Sequence, residues 1–556
     1  MYRLASRKIA LLAAALGATA LSAESAADGL RPAPFLDAGE CFVPQGGTAA
    51  DETAPPPVLI EGLGHAGIEP DSGNILARAW FAQGVRLIWA FDEAEAVRAF
   101  QQAQRLDPNC ALCFFGEAWA RGPTINLQPR TEELAAARAA AQRAVALSGR
   151  LSPHDRLLVE AMALRSRGGT AFNTRAYAEF MEAAAARFPR DDAIAVMAAD
   201  ARMVTWDEGP KRPGSTAQLL LERVLARSPD HSGAIHFYIH LTDWIDRQRL
   251  AEPYAERLGR IAPAASHLVH MPSHTFYGIG RYRDAAAVNV AAIAADAAYG
   301  SRVRPPPTDY RSGLLAHNMH FAIESALARG DGATALTVSD QYRERFLGER
   351  TDGRTRTLGS ATWYALGLHK PVAEVLATPD PSHALDKALR HYARGEALAR
   401  RGDAAAVRAE AAAIAAIRRG TGAPSLGRSG SALAEIFQHV LEGRSAMLAG
   451  DHRRAARSYR AAMNRQLAAD FGMDPPLFWY SVRRSLAAAE LASGNPRGAR
   501  DQLAASLRRW PNDPLALYAL SLAERRLGRT AEADRALASA RAGWAGEVTE
   551  VPLSRI

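Results

Sequence analysis

Cysteine is scarce in this chain of 556 residues, which contains only Cys41, Cys110 and Cys113. An odd count leaves one cysteine unpaired, or paired between chains, in an oxidising compartment. Phe114 follows Cys113 where c-type haem attachment requires histidine, and no βαβ pattern surrounds the CxxC as it would in a thioredoxin-like protein. We therefore expect a disulfide between Cys41 and one of the other two cysteines.

Long apolar runs are missing except near the N-terminus. There, three basic residues precede an apolar run from Ile9 to Leu21, and small residues follow it. This pattern predicts a signal peptide over 1–27, cut after Ser22 or Ala27, and the run is too short to span a bilayer. We expect a periplasmic or secreted protein with no membrane span.

A strong charge of one sign is also missing. The formal net charge of +8 falls to +5 when the three basic residues of the signal are removed, or to +6 if Glu24 goes with them. Arginines are scattered along the chain and form no basic stripe with interleaved aromatic residues, so no nucleic-acid partner is expected.

Familiar catalytic motifs are absent as well. We find no nucleophile elbow, phosphate loop, dinucleotide fingerprint or HExxH motif, and no runs typical of β-strands. The chain is rich in Ala, Leu, Arg and Glu, with 48% hydrophobic and 23% charged residues. This composition favours closely packed helix pairs.

The chain repeats itself with a period near 34 residues. The frame is defined by Trp80, Gly84, Ala96, Phe100, Ala103 and Pro108. It returns at the closing prolines and turn glycines Pro189, Pro229, Pro263, Pro511, Gly280, Gly330, Gly402, Gly450, Gly494 and Gly528. These residues resemble the tetratricopeptide repeat, a helix-turn-helix unit. The resemblance covers residues 77 to about 542 and implies an all-α, right-handed α-solenoid of about ten or eleven helix pairs.

Four segments follow from this frame. They are the signal peptide (1–27), an extended N-terminal leader without an assigned fold (28–76), a solenoid (77–418) and C-terminal repeats (431–542). Five helix-breaking residues between Arg419 and Gly430 interrupt the pattern and mark a hinge between two lobes.

Histidines recur with the same period. His236 and His240 return 34 residues later as His270 and His274, at positions 5 and 9 of neighbouring repeats. Positions 2, 5 and 9 of a helix form one stripe, which faces the concave groove in tetratricopeptide proteins. Of the fifteen histidines, eight lie between residues 231 and 320, and packing gives no reason for this crowding.

The stripe therefore predicts a metal site. Its candidate ligands are His236, His240, His270, His274, His320, His317, His267 and Asp200. Imidazole and carboxylate ligands suit a divalent transition metal such as Zn, Cu or Fe, and their number leaves room for two ions. The alternative is a row of ordinary groove histidines bonded to the backbone or to each other, as we expect for core residues such as His391 and His439.

Catalytic candidates lie beside the stripe. Asp243 follows His240 by one turn, Glu324 takes position 9 after His320, and Tyr277 could donate a proton to a bound anion. His65, in the glycine-rich leader loop, is a further ligand candidate if the leader folds over the groove.

The stretches around these histidines are similar to those of a group of exported bacterial tetratricopeptide proteins. They are 235–240, 267–274 and 317–321. This resemblance implies a shared fold and a histidine-rich groove, but it supplies no reaction.

Two classes of function remain open. The first is a metal-dependent enzyme, hydrolytic or oxidative, that holds a small molecule or peptide in the groove. The second is a scaffold that binds peptides or proteins, with Tyr392, Arg444, Arg484 and Tyr518 of repeats 8–11 as its binding surface. Periplasmic metal storage or delivery is a third alternative.

Overall fold

The computed structural model describes residues 55–129, 131–205, 211–471 and 474–556. The predicted signal peptide, the first part of the leader and Cys41 lie outside the described residues, so the predictions about export stay predictions. The described residues contain no β-strand, as the sequence predicts. No described helix is long and apolar enough to cross a membrane.

The described residues form 26 α-helices, linked by short turns and a few 3₁₀ segments. The first nine are α1 (Ile75–Trp89), α2 (Glu93–Leu106), α3 (Ala111–Ala120), α4 (Thr131–Leu147), α5 (Pro153–Arg165), α6 (Thr174–Arg187), α7 (Asp192–Met203), α8 (Thr216–Arg227) and α9 (Ser232–Trp244). The next nine are α10 (Glu252–Ile261), α11 (Ser266–His270), α12 (Pro272–Gly278), α13 (Tyr282–Val303), α14 (Asp309–Ala328), α15 (Gly332–Phe346), α16 (Gly353–Leu358), α17 (Ser360–His369) and α18 (Val372–Leu376). The last eight are α19 (Ala384–Arg400), α20 (Ala404–Arg419), α21 (Gly427–Leu448), α22 (His452–Ala469), α23 (Val482–Ala492), α24 (Pro496–Arg509), α25 (Pro514–Arg526) and α26 (Thr530–Gly543).

Consecutive helices pack as pairs, and each pair packs on the next. Helix α1 packs on α2, α3 on α4, α7 on α8, α14 on α15, and this order continues to α25 and α26. The second helix of each pair also contacts the first helix of the next pair, as α2 does with α3 and α13 with α14. This one-dimensional stacking is an α-solenoid, because each repeat buries its apolar face against its neighbours.

The residues that define the frame have packing roles. Gly84 and Gly116 both lie against the ring of Phe100, and a Cβ on Gly84 would approach that ring to 2.6 Å. The six predicted turn glycines all have φ between 74° and 83°. L-residues with a side chain disfavour this left-handed backbone, so glycine ends these helices without strain.

The last part of the leader has no regular structure but is held by hydrogen bonds. The carbonyl oxygen of Gly62 accepts from the amide of Ala264 at 2.9 Å, and that of Ala66 accepts from the Trp89 indole at 3.0 Å. The segment thus joins the first repeat to the turn before α11.

The cysteine expectation is wrong. Cys110 forms its disulfide with Cys113, three residues along the chain, and not with Cys41. Cys110 caps the N-terminus of α3, and the turn there brings the two Cα atoms to 5.4 Å, within bridging distance.

The predicted break between the lobes is a short irregular segment. Helix α20 ends at Arg419, a 3₁₀ turn spans Ala423–Leu426, and α21 begins at Gly427. Helices α20 and α21 pack directly on each other, so the stacking continues across the segment.

Candidate metal centre

Three buried histidines of adjacent repeats meet and form what we call the first triad: His236, His240 and His267. The Nε2 atom of His236 lies 3.1 Å from the Nε2 atoms of both His240 and His267. All three side chains are buried. The i, i+4 spacing places the first two on one face of α9, and His267 comes from the neighbouring helix α11.

The second triad consists of His270, His274 and His317. The Nε2 atoms of His270 and His274 are 3.0 Å apart, and all three histidines are buried. In each triad one nitrogen from every ring lies within 4.8 Å of the others, a spacing that one metal ion could bridge. Pro272 divides the helix between the first two residues into α11 and α12 without disturbing their i, i+4 relation.

Hydrogen bonds fix the orientation of several rings. Nδ1–H of His236 donates to the carbonyl oxygen of Trp89 at 2.7 Å. Nδ1–H of His270 donates to Oδ1 of Asn289 at 2.6 Å. Asn289 cannot be reversed, because its Nδ2 donates to the carbonyl oxygen of Ala285 at 2.8 Å. Such partners on Nδ1 are typical of metal-binding histidines, because they leave Nε2 as the ligand.

In the second triad, the groups around Nδ1 bear on which nitrogen can act as the ligand. Nδ1 of His274 lies 3.0 Å from a carboxylate oxygen of Asp474 and 3.6 Å from one of Asp243. Because Nδ1–H of His270 is donated to Asn289, its Nε2 carries a lone pair, which lies 3.0 Å from Nε2 of His274. A neutral His274 with its proton on Nε2 donates to this lone pair, and a bound cation would take the place of that proton. The geometry suits a cation shared by the two nitrogens.

The triads are neighbours, and each has an aromatic wall. The ring centroids of His240 and His274 are 5.8 Å apart, as are those of His267 and His270. Phe91 lies against the first triad, 4.3 Å from the His236 ring, and Phe321 lies against the second, 5.1 Å from the His274 ring. These walls keep water away from the histidines.

Burial holds the histidines in their neutral form. Loss of hydration lowers the pKa of His236 to about 3 and that of His320 to about 4. The pKa values of His240, His267, His270 and His317 also lie well below the usual one, first through burial and then through neighbouring histidines. Neutral imidazoles are the form that binds metal ions.

Two predicted ligands lie apart from the triads. His320 donates from Nδ1 to the carbonyl oxygen of Leu358 at 2.9 Å and belongs to neither triad. Asp200 is buried near Arg165 and Glu93, where burial raises its pKa to about 7 although Arg165 acts to lower it. Asp200 belongs to neither triad.

Of the predicted catalytic residues, only Asp243 lies next to a histidine of the second triad. Asp243 lies 3.6 Å from Nδ1 of His274 and accepts a hydrogen bond from Gln248 at 2.9 Å. Glu324 is fully buried, and burial raises its pKa well above the usual value. Tyr277 is buried against the Phe321 ring. Burial raises its pKa well above the usual value, and the nearby Glu324 carboxylate adds to this effect.

His65 does not reach either triad. Its ring packs edge-on against His231, with centroids 6.2 Å apart. His391 and His439, predicted as core residues, are half-buried and each pairs with a glutamate, at 2.6 Å and 2.9 Å.

The predicted binding surface of repeats 8–11 is largely buried. Tyr392, Arg444 and Arg484 are at most 1% exposed, so the expectation of an open surface at these three residues is wrong. Arg444 donates to the backbone oxygen of Ile556 at 2.8 Å. Tyr518 is partly exposed.

Sequence reasoning missed three residues of the centre. Asp474 lies in the connection between α22 and α23, Asn289 on α13, and Phe91 in the turn after α1. None of them falls on the repeat stripe. The Asp-Pro-Pro stretch at 474–476, which breaks the helical pattern, was the one available signal.

The chain matches no family model and no curated protein. Among solved structures it is similar to a human IFIT1 dimer with m7Gppp-AAAA, at 14% identity and a TM-score of 0.28, covering 85% of this chain and 91% of that one. The P58(IPK) TPR domain matches at 11% identity and a TM-score of 0.22, covering 82% and 99%. The APC/C hetero-tetramer Cut9-Hcn1 matches at 13% identity and a TM-score of 0.23, covering 87% and 89%. The repeat frame and the stacked helix pairs of the chain itself give it the fold of a tetratricopeptide-like α-solenoid.

Proposed function

We propose that the two triads bind two divalent transition-metal ions and that the protein is a metal-dependent enzyme. The observation that carries this proposal is the meeting of three buried imidazoles in each triad, with one nitrogen of every ring within 4.8 Å of the others. Buried, neutral imidazoles at this spacing are the donor groups that bind a transition-metal ion.

The donor set agrees with such an ion. Six neutral imidazoles, with Asp474 close to two of them, suit zinc, copper or iron. The adjacency of the triads favours two ions acting on one bound molecule. When bound, the ions would supply either an acidified water for hydrolysis or a redox centre for oxidation.

The chain's own groups can hold protons beside these ions. Asp243 is about 10% exposed and close to His274, where its carboxylate can accept a proton. Burial raises the pKa values of both Tyr277 and Glu324, which favours their protonated forms as proton donors. Phe91 and Phe321 exclude water from the histidines.

A peptide scaffold is less well supported by this groove. Its stripe is buried, and its polar atoms are directed at one another, whereas a peptide site needs exposed donors and acceptors along the groove. Storage would require loosely held, exchangeable ions, and the hydrogen-bonded rings of the second triad favour firm binding.

Metal stoichiometry tests the proposal directly. We expect elemental analysis of the purified protein to find about two ions per chain, and His270→Ala and His274→Ala to lose at least one of them, because each removes a ligand from a preformed shell. His391→Ala is the matched control, since His391 is half-buried and pairs with Glu410 away from the groove. Equal metal content in all four proteins would overturn the metal site.

Turnover tests the enzymatic part. Chelation should abolish activity toward a hydrolysable or oxidisable substrate, and one particular metal should restore it, while the far-UV circular dichroism remains helical. If the protein binds two ions but shows no turnover across a substrate panel, the enzymatic part of the proposal is wrong and the metal site has a structural role.

A further inference from the structure

Residues 548–556, which we call the strap, lie along the first helices of three successive helix pairs. The 3₁₀ turn Val548–Glu550 packs on α25, and the 3₁₀ turn Leu553–Arg555 packs on α23 and α21. The first helices line the concave groove of a tetratricopeptide solenoid. The strap therefore crosses these helices one after another, as an extended peptide ligand does.

One side of the strap is apolar and faces the helices. Val548 and Ile556 are fully buried. Val551 and Leu553 are half-buried against the same apolar cluster, which includes residues of α23 and α25. Residues between them, such as Glu550, are exposed. The groove thus accepts apolar side chains spaced by three, two and three residues.

The groove also holds the strap by its main chain. Arg444 and Ser485 both donate to the backbone oxygen of Ile556, at 2.8 and 2.6 Å. Tyr518 donates to the carbonyl oxygen of Thr549 at 3.3 Å. The three donors are side chains of α21, α23 and α25, one from each first helix. Hydrogen bonds to main-chain oxygens are a general means of holding an extended peptide.

Arg444 depends on the strap for its closest acceptors. Its side chain is only 1% exposed, and the nearest oxygens beyond the strap are Glu396 at 3.5 Å and the Tyr480 hydroxyl at 3.4 Å. The strap supplies two shorter hydrogen bonds, at 2.8 and 3.0 Å. A buried guanidinium that loses such acceptors is destabilising. The groove therefore favours an occupant that offers main-chain oxygens at this place.

The strap adds no helix to the repeat array. Helices α21 to α26 pack on one another in pairs and between pairs, and the strap contributes only two single 3₁₀ turns. Because each repeat is stabilised by its neighbours, these pairs remain packed when the strap leaves.

We propose that this groove is a peptide-binding site and that the strap is its built-in occupant. When the strap leaves, the groove takes an extended segment of another protein that has apolar residues at the strap's spacing and offers main-chain oxygens to Arg444 and Ser485. The strap lowers the affinity for this partner, because only molecules with an open groove can bind it. The inference is independent of the proposed metal function, since no residue of this groove belongs to a triad.

A fluorescent peptide with the sequence of residues 548–556, blocked at both ends, tests this by anisotropy on the full chain. Ile556→Asp places a charge in an apolar site and should release the strap, so this variant should bind the peptide at least tenfold more tightly than the wild type. Adding Arg444→Gln should weaken that binding at least tenfold. Leu219→Asp is the matched control and should bind like the wild type, because Leu219 is 46% exposed on α8.

Circular dichroism of each variant, and a second peptide with aspartate in place of Ile556, complete the test. The proposal is overturned if Ile556→Asp stays helical but binds the first peptide no more tightly than the wild type. Equal binding of both peptides, or no effect of Arg444→Gln, also overturns it. Ile556→Ala is the milder variant if Ile556→Asp does not fold. Loss of the helical signal in both would make the strap part of the repeat fold and would contradict the proposal.

Discussion

What the histidines can bind depends on which nitrogen of each imidazole carries the proton. For His270 the choice is made by Asn289, whose amide is itself held by the carbonyl oxygen of Ala285. A residue outside the triad thus prepares Nε2 as a ligand.

Replacing Asn289 tests this role at the scale of one residue. Asn289→Leu should weaken metal affinity about 10–100-fold, because His270 loses the acceptor that fixes its ring and tautomer. Asn289→Asp keeps an acceptor at the same place and should retain most of the affinity. Competition with a metal-binding dye measures both.

Equal affinity in the leucine and aspartate variants would contradict the prediction. It would mean that packing alone orients the His270 ring.

At the scale of elements, the turn between α1 and α2 contains Phe91, the aromatic wall of the first triad. Phe91 has a φ of 55°, in the left-handed region that residues with a side chain disfavour. Its ring nevertheless contacts His236 and His267, with centroid distances of 4.3 and 5.5 Å. The strained turn therefore places a functional side chain.

Two substitutions of Phe91 separate the effect of losing its ring from the effect of its left-handed backbone. Phe91→Ala should cost about 3–5 kcal/mol of stability, because it empties a buried site. Phe91→Gly loses the same ring but relieves the left-handed strain, so it should be more stable than Phe91→Ala by about 1 kcal/mol. Urea unfolding gives both free energies, and an alanine variant as stable as the glycine variant would show that the turn is unstrained.

At the scale of the whole molecule, buried titratable groups set the pH dependence of stability. The groove histidines have folded pKa values below the ordinary 6.5, about 3 for His236 and about 4 for His320. Their contribution to the free energy of unfolding is complete above pH 6.5. It is lost as the pH falls, because the unfolded chain then binds protons before the folded chain does. The buried acids Glu93 and Asp200 have raised folded pKa values of about 8 and 7, so their contribution is lost as the pH rises.

The metal-free protein should therefore be most stable near pH 6.5. Below pH 6.5 the histidines with lowered pKa outnumber the acids with raised pKa. Each histidine in excess of the acids lowers the free energy of unfolding by about 1.4 kcal/mol for every pH unit of acidification. Melting temperatures of the chelated protein between pH 4.5 and 8 check this. His236→Gln should flatten the acidic side, and an unchanged profile in that variant would contradict the assignment.

Local periodicity was enough to predict the solenoid and the clustering of the histidines. The 34-residue period and the helical stripe identified all six triad histidines, because both depend on short-range geometry that every repeat shares. The turn glycines were predicted for the same reason.

The tertiary structure alone partitioned the histidines into two triads, left Asp200 with Glu93 and Arg165, and brought Asp474 to His274. It also paired Cys110 with Cys113 and buried Arg444 against the backbone of Ile556. These outcomes depend on how irregular connections and distant repeats pack in three dimensions. A repeat frame carries no information about such contacts, because it describes only what neighbouring helices have in common.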